Sequence, residues 1–413
     1  MVGYILLSLY FFVAFNWLLS FTSLDEGRNM SAVYNMLKSK DFIVPYYNCD
    51  YRFEKPPMLY WMVSVSSLLF GLNEFSARLV SGLSAVGVSF LTYILAKKHL
   101  DQETAKKSFL VLLTLPHMWI EARAVVPEML NTFFALLSLY FFLGERFLLG
   151  WLFAGFAFLT KGPVGPFLAV SVYLLWKRDL RVFNPAGLLV FLLVGGSWYY
   201  LMLYRFGYEY FYRFFIYENV MRYTGERLTH PYPFYYYLLV ILLSTLFYLP
   251  IYPKLIKSLR KLPLLFPLWF LFVLVFFSLA KNKLHHYILF AYPPLAIMLA
   301  YSVSWSYLKR VLILSVLLFA LLVPLTYLYQ KERFVPKAYP IIATYQGKVS
   351  FYRAEDSALV FYSRRCIESL KEPSYAQGLV ITKEKYLKDL GNCTLLVRGR
   401  EFDGVYTLLE CKR

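Results

Sequence analysis

Residues 22–61 read TSLDEGRNMSAVYNMLKSKDFIVPYYNCDYRFEKPPMLYW. This stretch follows one long apolar run and precedes a dozen or so more. Inside it stand Asp25, Glu26, Arg28, Glu54 and Lys55. Charges placed so near a membrane surface need a reason, because ionisable groups at membrane depth are costly. Met30, Val33, Tyr34 and Leu37 recur at i, i+3, i+4 and i+7, which predicts one apolar stripe on a short helix. Pro56-Pro57 then opens the apolar run 58–70. That run is too short to span and suits a helix lying in the interface. Asn73 is placed to cap the next helix, with Glu74 in its first turn.

Composition sets the frame. The 413 residues are 59% hydrophobic and 16% charged, with a mean hydropathy of +0.51. A soluble domain carries roughly 25% charged residues and 45–50% apolar ones. The excess lies in long apolar runs, so the expected class is an all-α polytopic membrane protein. A net charge of +18 would suit nucleic acid. That partner is rejected, because much of the charge sits in short loops between spans, where membrane insertion retains Lys and Arg.

About eleven transmembrane helices are expected, at 3–21, 75–96, 108–120, 129–143, 147–160, 163–176, 186–204, 233–253, 263–280, 286–302 and 310–329. The pair around Lys161-Gly162-Pro163 reads either as two tilted spans or as a re-entrant hairpin. The run from Val2 has no Lys or Arg before it and no clear cleavage site, so it reads as a retained span. Alternate loops carry Lys97, Lys98, Lys106 and Lys107; Arg146; Lys177, Arg178 and Arg181; Lys254, Lys257, Arg260 and Lys261; and Lys309 and Arg310. These face the cytoplasm by the positive-inside rule. The other loops, with the C-terminal tail, then face outward. No internal repeat is evident.

Residues 1–330 therefore read as a membrane domain with outer loops 22–74 and 205–232. Residues 331–413 read as a small soluble α/β domain on the outer side. GKVSFY, ALVFYS, GLVITK, TLLVRGR and VYTLLE are its strand-like runs, with a helix expected over 383–390. Cys49, Cys366, Cys393 and Cys411 lack a metal-binding spacing. Two of the last three are free to pair in an oxidising compartment.

The outer loops hold Asp25, Glu26, Arg28, Glu54, Lys55, Glu121, Arg123, Glu128, Lys161, Arg222, Lys281 and Lys283, beside His285, His286 and Tyr287. Each has a plain reading. Asp25 serves as a helix cap, and the lysines snorkel to the interface. Each also has a functional one. Asp25 takes a proton from an acceptor hydroxyl. Lys55 and Lys161, both in stiff Pro-rich contexts, grip a phosphate, with Arg222 and Arg28 completing the grip. His285-His286 is a weak metal signal, and no metal ligand set is assigned.

The run LDEGR…DFIVPYYN…YRFEKPPMLYW…LFGLNEFSARLVSGL resembles the opening of bacterial aminoarabinose transferases and related lipid A glycosyltransferases. More distantly it is similar to protein O-mannosyltransferases. FLTKGP, YENVMRY followed by THPYPFYYY, and AKNKLHHYILFAYPPLA extend the likeness in order over about residues 20–300. The resemblance implies a GT-C fold and an inverting glycosyltransferase. Its donor would be a polyprenyl-phosphate sugar, carrying aminoarabinose or a hexuronic acid such as galacturonate. Its acceptor would be lipid A or a related amphiphile at the periplasmic face of the bacterial inner membrane. It requires no cofactor beyond that co-substrate and admits a divalent metal.

Carried over by motif, Asp25 is the catalytic residue, the base or acceptor-orienting group. Arg28, Glu54, Lys55, Glu128, Lys161, Arg222, His286 and Tyr287 are substrate-binding. Relatives often carry Asp where this chain has Glu128, and many have His-Asn where it has Glu218-Asn219. Two rival readings remain: a protein O-mannosyltransferase, and a flippase of polyprenyl lipids. A flippase would place its site near the midplane between broken helices, often within repeats.

Overall fold

The computed structural model describes residues 2–22, 24–226 and 230–412. Part of the outer loop 205–232, residues 227–229, thus lies outside the described residues, as do Met1, Ser23 and Arg413. The chain divides into two compact units. One comprises 1–14, 53–59 and 79–319; the other comprises 15–52, 60–78 and 320–413. This division differs from a single cut at residue 330. Most of the first outer loop belongs with the tail, while its residues 53–59 belong with the helical unit.

The first unit is helical. Among the described residues, three helices are long and apolar enough to cross a membrane: Glu74–His99, Pro185–Thr224 and Trp305–Glu332. A fourth is obtained if Tyr236–Ser244 and Leu246–Lys261, bent by 89°, count as one span. Many of the remaining expected spans are shorter apolar helices, among them Pro127–Leu143, Phe147–Lys161, Val164–Lys177 and Leu265–Leu279. Local breakers account for the shortening. The first helix stops at Phe12, and Phe15 follows at a φ of 62°. Pro116 starts a new helix after Gln102–Leu113 and so divides the span expected over 108–120. The span expected over 286–302 begins as a 3-10 turn, His285–Ala291, before Tyr292–Ser302.

The second unit holds the helix Leu24–Ser39 and a five-stranded sheet. Met30 and Val33 of the apolar stripe are fully buried. Asp25 lies in the first turn of that helix rather than capping it. Gly27 rests on the backbone of Ser357 and Ala358 with no room for a Cβ, which brings the helices Leu24–Ser39 and Ser357–Ser363 together. Asn73 caps Glu74–His99 as expected, its Oδ1 accepting from the Ser76 N–H at 3.0 Å.

In the sheet, Val349–Tyr352 pairs in parallel with Glu368–Leu370 on one side and Gly378–Lys383 on the other. Gly378–Lys383 then pairs antiparallel with Gly404–Cys411, whose far edge takes Cys393–Glu401. Two expectations are corrected. ALVFYS is not a strand but most of the helix Ser357–Ser363, because Asp356 caps it, accepting from the N–H groups of Ala358 and Leu359. The helix expected over 383–390 is a 3-10 turn, Glu384–Asp389. Disulfides join Cys393 to Cys411 and Cys49 to Cys366, so the cysteine of the first outer loop pairs as well.

Candidate functional site

The first unit encloses a cavity of about 110 Å³ whose rim includes Glu54, Lys55, Lys161, Glu218, Arg222 and Tyr287. Three separate stretches of chain supply its cations, and each is presented by a local device. Lys55 stands just before Pro56-Pro57, at the entry to the helix Met58–Phe70. Lys161 is the last residue of Phe147–Lys161. Its chain then turns sharply, because Gly162 takes φ 75° and ψ −151°, a conformation that strains any residue with a Cβ. A cation is favoured at that helix end by the partial negative charge of the free carbonyls. Arg222 follows a π-helical stretch, Tyr212–Val220, in the long helical segment after Pro185. π-Helical turns often mark functional sites, since they aim side chains off the regular helical face.

Behind Lys161 sits a buried network. Glu128 occupies the first turn of Pro127–Leu143, where a carboxylate is favoured by the helix dipole. Its Oε1 lies 2.9 Å from Lys161 Nζ and 3.2 Å from His286 Nε2. Glu128 Oε2 is buried with no hydrogen-bond partner among the described residues. The ammonium of Lys161 also sits 4.2 Å from the centre of the Tyr287 ring, a cation–π contact. Lys161 is thus held from behind by charge and from the side by an aromatic face, with the cavity beside it.

The other carboxylates at the rim are paired. Glu54 lies 3.6 Å from Arg213, and Glu218 lies 3.3 Å from Arg222. Lys55 has no ion pair or hydrogen bond among the described residues. Lys161, Arg213 and Arg222 thus each face a carboxylate and Lys55 does not, which leaves a cation at the cavity to meet a phosphate.

Of the residues singled out from the sequence, the structure brings Glu54, Lys55, Lys161, Arg222 and Tyr287 to this cavity, with Glu128 and His286 behind Lys161. Asp25 and Arg28 belong to the second unit. There Asp25 lies 4.0 Å from Arg52, and Arg28 makes a 2.6 Å ion pair with Glu355. Sequence reasoning missed Arg213 and the aromatic wall of Phe214 and Phe276. Arg213 sits four residues past Glu209, which it also approaches at 3.7 Å, a spacing readable on a helix. Its tie to Glu54 crosses more than 150 positions and leaves no local trace.

Comparison with known proteins agrees with this frame. The family described as dolichyl-phosphate-mannose-protein mannosyltransferase matches residues 54–200. An uncharacterized protein of Aquifex aeolicus (strain VF5) is 50% identical over 407 residues, covering 98% of this chain and 97% of that one. The undecaprenyl phosphate-alpha-4-amino-4-deoxy-L-arabinose arabinosyl transferase of Shewanella sediminis (strain HAW-EB3) is 34% identical over 308 residues, or 69% of this chain and 56% of the relative. The chain thus spans little more than half the length of that relative. Among solved structures, ArnT from Cupriavidus metallidurans bound to undecaprenyl phosphate superposes with a TM-score of 0.79 at 22% identity, covering 98% of this chain and 97% of that one. With motifs, fold and relatives in agreement, the chain belongs to the aminoarabinose-transferase-like family of GT-C membrane proteins.

Proposed function

We propose that the chain is an inverting glycosyltransferase of the bacterial inner membrane, with its active site facing the periplasm. It takes a sugar from a polyprenyl-phosphate donor and passes it to lipid A or a similar amphiphile. One observation carries the reading: Lys55, Lys161 and Arg222 line one cavity although they come from three distant stretches. The name of the Shewanella relative, and the undecaprenyl phosphate bound to the Cupriavidus structure, support the same donor class. We retain about eleven membrane passages for this reading, with the shorter helices tilted or re-entrant.

The chemistry follows from charge. The donor's phosphodiester carries one negative charge and gains a second as the glycosidic C–O bond breaks. Lys55, Lys161 and Arg222 stabilise that second charge more than the first, so they lower the barrier rather than only binding the ground state. A phosphate leaves without a general acid. Glu128 and His286 hold Lys161 in position. Tyr287 fixes the direction of its ammonium. Asp25 acts on the acceptor, orienting or deprotonating a hydroxyl; an acceptor that is already an ionised phosphate needs no base. A single in-line attack inverts the anomeric carbon.

Mass spectrometry of lipid A from cells with and without the chain tests the reading, and the mass shift names the sugar. The Lys55→Ala variant should abolish that shift while Lys371→Ala leaves it intact. Unchanged lipid A in cells making the wild-type chain would overturn the proposal. The mannosyltransferase name of the matched family favours a second reading, transfer to a Ser or Thr hydroxyl. Label from the donor appearing in protein rather than in lipid would select it.

A further inference from the structure

We infer that His117, Glu121 and His285 form a binding site for one divalent transition metal of the zinc type, separate from the cationic cavity. His117 and Glu121 lie four residues apart on the short helix Pro116–Glu121, so they share a face. His285 opens the 3-10 turn His285–Ala291. His117 Nε2 lies 2.9 Å from His285 Nδ1 and 3.4 Å from Glu121 Oε1. Glu121 Oε1 lies 3.0 Å from His285 Nδ1. Tetrahedral zinc, with bonds of about 2.0–2.1 Å, separates neighbouring ligand atoms by roughly 3.3 Å. The triangle therefore has the size of one tetrahedral face.

With both imidazoles neutral, protons alone do not satisfy this triangle. Ser244 Oγ lies 2.7 Å from the Val240 carbonyl, which can only accept, so the serine donates there. Tyr292 Oη lies 2.7 Å from Ser244 Oγ and so gives its hydrogen to the serine. Tyr292 Oη then accepts from His117 Nδ1, 2.5 Å away. The chain of donors fixes the proton of a neutral His117 on Nδ1 and leaves Nε2 as a bare lone pair aimed into the cluster. That lone pair faces a carboxylate oxygen and a second imidazole nitrogen. A neutral His285 can direct one proton to only one of them.

A divalent cation satisfies all three ligand atoms at once. The outward hydrogen bond of His117 is the support that metal-bound imidazoles usually have. Glu121 Oε2, buried with no hydrogen-bond partner among the described residues, marks a carboxylate not satisfied by protein contacts alone. His117 and Glu121 are buried while the His285 side chain is 48% exposed, so an ion has a way in and water can take the fourth position.

The test uses the full chain, purified in detergent without a polyhistidine tag, stripped with chelator and given zinc alone. Elemental analysis should return about one zinc per chain. Competition with a chromophoric chelator should show affinity at least about 100-fold weaker in His117→Gln, Glu121→Gln and His285→Gln, the upper end of what even supporting residues give. His99→Gln should bind like wild type. Because His285 is half exposed, His285→Gln is expected to fold. Cobalt should give wild type the intense visible bands of a tetrahedral site, and that variant none. No stoichiometric zinc in wild type, or undiminished zinc binding in folded His285→Gln, overturns the inference.

Discussion

Two cations, one in each unit, are held in opposite ways. Arg333 of the second unit is fully buried and all its donors are engaged. Its Nε and Nη2 reach Glu401 Oε2 at 2.9 and 2.7 Å, while Nη1 and Nη2 reach the carbonyls of Ser20 and Phe21 at 2.6 and 2.8 Å. The other oxygen of Glu401 accepts from the Val335 N–H at 2.9 Å. Arg78 repeats the pattern, bonding both oxygens of Glu26 and the carbonyls of Asn16 and Leu19. These are closed networks that tie backbone together. Lys161 of the first unit has one carboxylate oxygen, shared with His286, a ring face, and an opening onto a cavity. A saturated charge fixes structure; one left with unused valence at a cavity is available to a substrate.

The contrast can be broken most forcefully at Glu401. Glu401→Leu strands Arg333 without a counter-charge and should destabilise the protein by about 3–5 kcal/mol. Thermal unfolding in detergent measures this, and adding Arg333→Leu to the same chain should return much of the loss. Lys161→Met should do the reverse. It should slow transfer by about 10²–10³-fold, comparable to removing one oxyanion donor, and lower the melting temperature less than Glu401→Leu does, because His286 still faces Glu128. A Lys161 variant that unfolds yet keeps its turnover would erase the distinction.

The smallest effect concerns Asp356. Burial, with Glu401 nearby, pushes its carboxyl up to about 7, even though two backbone N–H groups bond it. The folded state then holds this proton more tightly than the unfolded chain, whose value is near 3.8. The resulting stability is full below the unfolded value and is lost as pH rises through about 7. Melting temperature should therefore fall across that window, and Asp356→Asn, which keeps the cap, should flatten the slope.

What the sequence disclosed depended on how local the cause was. The helix Met58–Phe70 was readable because Pro56-Pro57 opens it and Gly71, at φ 80°, closes it. GLVITK was readable as a strand from its β-branched run. ALVFYS has much the same composition, and only the preceding Asp356 marks it as a helix. The cavity was legible as a set of charges awaiting convergence, since their cost in an apolar chain is itself a signal. Their partners were not. Arg213 meeting Glu54, Arg333 meeting Glu401 and His285 meeting His117 are long-range pairings with no periodic mark. The Lys161–Glu128 contact likewise joins the ends of two helices, fixed by packing rather than by spacing.

The bond between Cys49 and Cys366 spans 317 positions. The unit it closes draws on 15–52, 60–78 and 320–413, with most of the helical frame encoded between the early and late parts. Cys49 must therefore wait, unpaired, until Cys366 has been made. A chain cut before Ser357 would leave the opening loop without its disulfide partner and without the helix on which Gly27 rests.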